Sequence, residues 1–188
     1  MQGHTKEAIQ FIQDYQQDLG INNNFLHAKG FALACSGKTE NAKKVWTDAV
    51  RMDPDNKLCK QAIKKLNKQE EAKQKGNDFL KSSNFAQAIN QYTEGIELDP
   101  HNSFMVSQLL NNRAAAKMKQ KNLSSALDDC NKAIERNPKY ARAYLRRGDI
   151  KKEMGNKTEA IVDFKKAHEL DPELGADSRY ASEQKQQQ

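Results

Sequence analysis

Four prolines set the frame of this chain. Pro54, Pro100, Pro138 and Pro172 are the only prolines among its 188 residues, and they stand 46, 38 and 34 residues apart. Each closes an amphipathic run; three follow an Asp (Asp53, Asp99 and Asp171) and Pro138 follows Asn137. Proline lacks the amide hydrogen a helix interior needs and pushes the residue before it out of helical dihedrals, so each marks the end of a helix. Counting back from each proline brings other residues into register. Twelve positions upstream stand Ala42, Ala88, Ala126 and Ala160; eight upstream, Trp46, Tyr92, Cys130 and Phe164. Five upstream stand Ala49, Gly95, Ala133 and Ala167; twenty-four upstream, Gly30, Gly76, Ala114 and Gly148. Gly and Ala at recurring sites let two helices cross closely, and the large residue is expected to fill the gap between neighbouring repeats. One such hairpin cannot bury its own face, so several must stack.

Small, small, large, small and then proline, on a period that settles at 34 residues, resembles the tetratricopeptide repeat. The resemblance covers nearly the whole chain and implies an all-α right-handed superhelix (α-solenoid) of antiparallel helix pairs. Composition agrees. Apolar residues are 37% and charged residues 30% of the chain, which suits helices that bury one stripe and solvate the rest. Ala, Lys, Gln, Glu and Leu, all helix formers, dominate.

The layout along the chain follows from the register. Residues 1–55 hold an N-terminal half repeat and one full repeat. In the half repeat, Ala8, Phe11, Ile12 and Tyr15 form an apolar stripe over 5–19; starting mid-repeat suggests a piece of a longer protein. The first full repeat is expected as helices near 24–36 and 39–52, with Gly37-Lys38-Thr39 supplying the turn and the cap. Residues 56–68 are a basic connecting helix that runs without Gly or Pro into the next repeat and ends near Lys81. Residues 69–174 hold three repeats, with turns at Asn84 and Gly155-Asn156. The polar, Gln-rich tail 175–188 is expected to fray.

Numbering each repeat so that its Gly or Ala crossing residue is position 8 places Lys73 and Asn77 at positions 5 and 9 of the second repeat. Asn112 is then position 6 of the third, and Arg142 and Arg146 are positions 2 and 6 of the fourth. Positions 2, 5, 6 and 9 share one helix face through three- and four-residue spacings, the face that lines the concave surface of such a solenoid. Three fixed cations and two amides along one groove make a site for carboxylates. The first repeat has Asn24, His27, Ala28 and Phe31 at these positions, and carries no such set.

These residues resemble the two-carboxylate clamp of chaperone-binding tetratricopeptide domains, whose pattern is Lys and Asn, then Asn, then Lys and Arg. Arg142 stands where the pattern has Lys, which keeps the charge and replaces a point donor with a planar fork. The cysteines, which suggest no disulfide framework, point to a cytoplasmic or nuclear home, and the resemblance implies a co-chaperone or adaptor. Its ligand would be the C-terminal peptide of the 70- or 90-kDa heat-shock chaperones, ending Glu-Glu-Val-Asp. One carboxylate would fall to Lys73 and Arg146 with the two asparagine amides, the other to Arg142; which carboxylate goes where stays open. Two repeat groups joined by a long basic helix, with the clamp group second, are also similar to the DnaJ homologue subfamily C member seven class. That class implies a J domain in a longer parent protein, and the chain contains no His-Pro-Asp tripeptide.

Other chemistry finds little support. No run of 18 apolar residues is present, so nothing here spans a membrane, and 1–4 lack the apolar core of a signal peptide. Cys35, Cys59 and Cys130 are odd in number and far apart, which suggests neither a disulfide framework nor a zinc site. His4, His27, His101 and His168 show no metal-ligand spacing. No phosphate loop, nucleophile elbow or paired acid appears, so no enzyme and no cofactor are implied. The remaining alternative is a scaffold that uses a basic surface (net charge +6) to hold acidic partners or RNA. Nucleic acid is the less favoured partner, because the lysines of 56–68 have no interleaved aromatics to stack on bases.

Overall fold

The computed structural model describes residues 23–174; the expectations for 5–19 and for the tail lie outside them. The described residues form α1 (Asn23–Cys35), α2 (Thr39–Met52), α3 (Lys57–Lys81), α4 (Phe85–Leu98), α5 (Ser103–Lys119), α6 (Leu123–Arg136), α7 (Ala141–Glu153) and α8 (Lys157–Leu170), then a 3₁₀ turn at Pro172–Leu174. Odd-numbered helices are the first of each hairpin and even-numbered ones the second. α3 is one helix of 25 residues, long because it carries the connector and the first helix of the second repeat without a break. α5 starts at Ser103 because the residues inserted ahead of the third repeat add a turn to its front. That turn is capped by Asn102, whose side chain accepts a hydrogen bond from the Met105 amide at 3.2 Å.

The turn inside every hairpin is built alike. Seventeen residues before each proline the backbone enters the left-handed region: Gly37 (φ +85°), Ser83 (φ +61°), Lys121 (φ +63°) and Gly155 (φ +89°). Two of the four carry a side chain there, a conformation that costs an L-residue about 1–2 kcal/mol. The expected Thr39 cap does not form. Lys38 occupies the cap position with no side-chain bond, and the Thr39 hydroxyl donates to the Gly37 carbonyl at 3.4 Å.

The large residue of the repeat is seated differently from the sequence expectation. Trp46, Tyr92 and Phe164 lie on Gly30, Gly76 and Gly148 of their own hairpins, where a Cβ would overlap ring atoms in each case. They close the hairpin itself rather than only the gap to the next one. The third repeat reverses the sizes: Ala114 replaces Gly, Cys130 replaces the aromatic, and both are fully buried in one cluster with Ala126 and Ile150. Burial pushes the Cys130 thiol up to about 12, as for a small hydrophobe in a core.

Candidate functional site

α3 packs on α5 and α5 on α7, and polar side chains bond across both contacts. Lys73 of α3 donates to Gln108 Oε1 of α5 at 3.0 Å. Asn77 Oδ1 accepts from Tyr92 OH at 2.8 Å and from Asn112 Nδ2 of α5 at 3.1 Å. Arg146 of α7 donates through Nε to Asn111 Oδ1 at 3.0 Å, and Asn111 Nδ2 faces Tyr140 OH at 3.5 Å. Arg142, one turn before Arg146, is exposed and lies close enough to stabilise a Tyr140 phenolate together with Arg146, although burial dominates and raises that phenol. Asn77 and Asn112 are thus bonded to each other across α3 and α5, while Lys73 and Arg146 each bond a different amide of α5, Gln108 and Asn111; Arg142 lies near Tyr140.

The pattern of use is informative. Three amide oxygens, those of Gln108, Asn77 and Asn111, are each taken by a donor of the site itself. What is left unbonded is the Asn77 Nδ2 group, the Asn112 Oδ1, the Arg146 terminal nitrogens, the Arg142 guanidinium and spare protons on Lys73. A surface on which unpaired cations and spare donors outnumber one free amide oxygen favours anions over cationic groups. None of the three cations forms an ion pair with a carboxylate among the described residues. Glu70, the nearest acid on α3, is closed on Lys43 at 2.5 Å. Burial holds the Lys73 ammonium below its ordinary value, with Glu70 pulling the other way; an arriving carboxylate would relieve that cost.

Gln108, Asn111 and Tyr140 were not singled out by the sequence and Tyr92 only as a packing residue, yet Gln108 and Asn111 are positions 2 and 5 of the third repeat. Reading every groove position, rather than the charged ones alone, would have found them. Asn111 is 2% exposed. Buried polar groups need partners, and its partners fix the orientation of Arg146.

The remaining arginines of these helices are spent on structure. Arg113 grips Asp129 with Nε and Nη2, both at 2.8 Å, and reaches back to Thr93 of α4 at 2.9 Å. Arg147 grips Asp163 at 2.9 and 2.6 Å and reaches back to Asn131 of α6 at 2.9 Å. Lys117 and Lys151 complete the two sites at 2.8 and 2.9 Å. Each staple ties both helices of one repeat to the second helix of the repeat before it, and so fixes the pitch that aligns the groove.

Helix hairpins in this register, with a small crossing residue, an aromatic seated on it and a closing proline, define a tetratricopeptide-repeat solenoid. The tetratricopeptide repeat model matches residues 107–140 and 141–174, and the chain belongs to this family. It is 34% identical over 179 residues to the DnaJ homolog subfamily C member 7 homolog of Dictyostelium discoideum, an alignment that covers 95% of this chain and 33% of that protein. The chain therefore spans about a third of the length of the curated relatives it matches. Among solved structures, the TPR2B domain of yeast Sti1 in its complex with pHsp70 superposes with a TM-score of 0.57 at 30% identity, over 63% of this chain and 98% of that one. The first TPR of Spaghetti (RPAP3) bound to the HSP90 peptide SRMEEVD gives 0.59 at 32% identity, over 63% and 94%. No described helix is long and apolar enough to cross a membrane.

Proposed function

We propose that this chain is a co-chaperone or adaptor module whose groove binds the C-terminal Glu-Glu-Val-Asp tail of 70- or 90-kDa heat-shock chaperones. Lys73, Asn77, Asn112 and Arg146 hold one carboxylate of the terminal Asp and Arg142 meets the other. The observation that carries this reading is that three cations, Lys73, Arg142 and Arg146, have no carboxylate of their own among the described residues. A C-terminal Asp brings two carboxylates a few ångströms apart, which matches cations contributed by separate repeats. The resemblance to domains solved with pHsp70 and with an HSP90 tail peptide supports the same ligand class.

Charge-assisted bonds contribute about 1.5–3 kcal/mol each before ordering costs, and a flexible peptide tail has much to lose on binding. The expected affinity is micromolar, about −8 kcal/mol. Calorimetric titration with a short peptide ending Glu-Glu-Val-Asp, and with its C-terminal amide, tests the reading. The free acid binds; amidation, or Arg146→Ala, removes most of the binding. Equal affinity for acid and amide would overturn it.

A further inference from the structure

The first half of the chain holds a second recess of opposite character. A cleft of about 480 Å³ opens between α1, α3 and the turn that joins α4 to α5. Phe31, Trp46, Leu58, Ala62 and Leu66 form much of its wall. His27 and Phe31 stand at positions 5 and 9 of the first repeat, the places that Lys73 and Asn77 occupy in the second. The same repeat positions are therefore aromatic here and donor-bearing there. His27 stacks against Trp46 with ring centroids 6.4 Å apart, and burial together with Lys65 keeps its imidazole below the ordinary range. The wall is thus largely apolar, with Lys65 and Asp99 as charges of opposite sign on it.

The rim is basic. The first half of α3, residues 57–68, carries Lys57, Lys60, Lys64, Lys65 and Lys68 and no acidic residue. All five lysines are exposed, and none forms an ion pair among the described residues, while Lys43 on neighbouring α2 is closed on Glu70. Lys65 itself lines the cleft; the carboxylate that also lines it, Asp99, accepts from the His101 amide at 3.3 Å. A recess of this volume holds a few large side chains, and the exposed lysines on the helix beside it, more numerous than the single lining carboxylate Asp99, bias what flanks them toward acid.

From this geometry we infer that the α1–α3 cleft is a second docking site, for an acidic amphipathic segment of another protein that inserts large apolar side chains between Trp46 and Leu66 and lays its carboxylates along the α3 lysines. This site is independent of the carboxylate groove: it reads internal side chains and needs no free C-terminus.

Trp46 is the only tryptophan of the chain and lies in the wall, so its emission reports occupancy directly. The probe is a synthetic, C-terminally amidated helical peptide with Leu and Phe at i, i+3, i+4 and i+7 and Glu elsewhere, added to the full chain. The expected result is a saturable change in Trp46 emission that weakens with added salt. Leu58→Ser and Lys65→Glu, both at exposed positions that leave far-UV circular dichroism unchanged, each weaken binding about tenfold. Arg146→Ala leaves it intact. An unchanged emission would overturn the inference. So would an equal response to a peptide with Ser in place of Leu and Phe, or to polyuridylate RNA. Sedimentation at the mass of a dimer, without a peptide response, would give the cleft to a second copy of the chain and overturn it as well.

Discussion

Arg146 and Arg147 are neighbours on α7 and end in different chemistry. Arg147 is held along one edge of its guanidinium by Asp163, with Nη1 on Asn131. Arg146 gives one nitrogen to Asn111 and keeps the others. The same division runs through the second half of the molecule. Arg113, Lys117, Arg147 and Lys151 converge on two buried aspartates. Lys73, Arg142 and Arg146 meet only neutral groups or none. A cation whose countercharge is inside the fold holds the repeats together; a cation without one is available to a ligand. The comparison teaches that the inner set makes the outer set usable, since the staples fix the spacing at which α3, α5 and α7 present their donors.

The largest effect belongs to the inner set. Asp163→Ala leaves Arg147 and Lys151 without their buried partner, and removal of one member of such a pair costs about 3–5 kcal/mol. Urea unfolding followed by circular dichroism is expected to show a loss of this size. Arg146→Ala inverts the readouts. Its stability falls by about 1 kcal/mol, because the buried Asn111 oxygen loses its donor, well short of the Asp163→Ala loss, while affinity for the Glu-Glu-Val-Asp peptide falls by about 1.5–3 kcal/mol. Comparable losses of stability in the two variants would break the distinction between the sets.

A third effect is smaller and depends on pH. Lys73 has its pKa lowered from 10.5, chiefly by burial, so the folded, unliganded protein sheds this proton before the unfolded chain does. Between the lowered value and 10.5, the unfolded state binds more protons, and the contribution of Lys73 to stability rises with pH. Peptide binding takes the opposite sign, because the carboxylate needs the ammonium: affinity falls as pH rises through the same window. The expected fall attributable to Lys73 is up to about tenfold. It is read as the difference between the wild type and Lys73→Arg, whose guanidinium does not titrate there. Identical profiles would remove Lys73 from the site.

Much of this organisation is visible in the residue order, and the reason is local. A 34-residue period with fixed small residues needs only neighbouring contacts to specify its fold, so hairpins, helix starts and the concave face follow from the register. The sorting of arginines was also within reach. Arg113 and Arg147 fall at position 7, off the groove face, and the partner aspartates both lie nine residues before a proline. Gln108 and Asn111 went unread because they stand at groove positions of the third repeat that the five-residue clamp pattern does not use; their bonds to Lys73 and Arg146 give them a role. The apolar cleft was beyond the sequence for another reason. Gly37 meets the Phe104 ring and Cys35 donates to the His101 carbonyl at 3.5 Å, bringing the α1 end onto the α4–α5 turn. A contact between residues so far apart leaves no periodic trace. Ser83 and Lys121 likewise adopt left-handed backbone with no glycine to announce it.

The smallest effect tests whether orientation, and not charge alone, separates the two groove arginines. Arg142 is exposed and no described side chain orients it, so the energy it gives a carboxylate is that of a solvated pair, about 0–1 kcal/mol. Arg142→Lys keeps the charge and loses only the planar fork, and the expected change in peptide affinity is within about 0.5 kcal/mol. Arg146→Lys also keeps the charge. A lysine there has one nitrogen and must choose between Asn111 and the ligand, whereas the guanidinium serves both at once. Its affinity is expected to fall by about 1 kcal/mol or more, the worth of an ordinary hydrogen bond, with the unfolding midpoint unchanged. If the two lysine variants bind alike, Asn111 does not position Arg146, and the groove acts as a diffuse positive field rather than as a set of aimed donors.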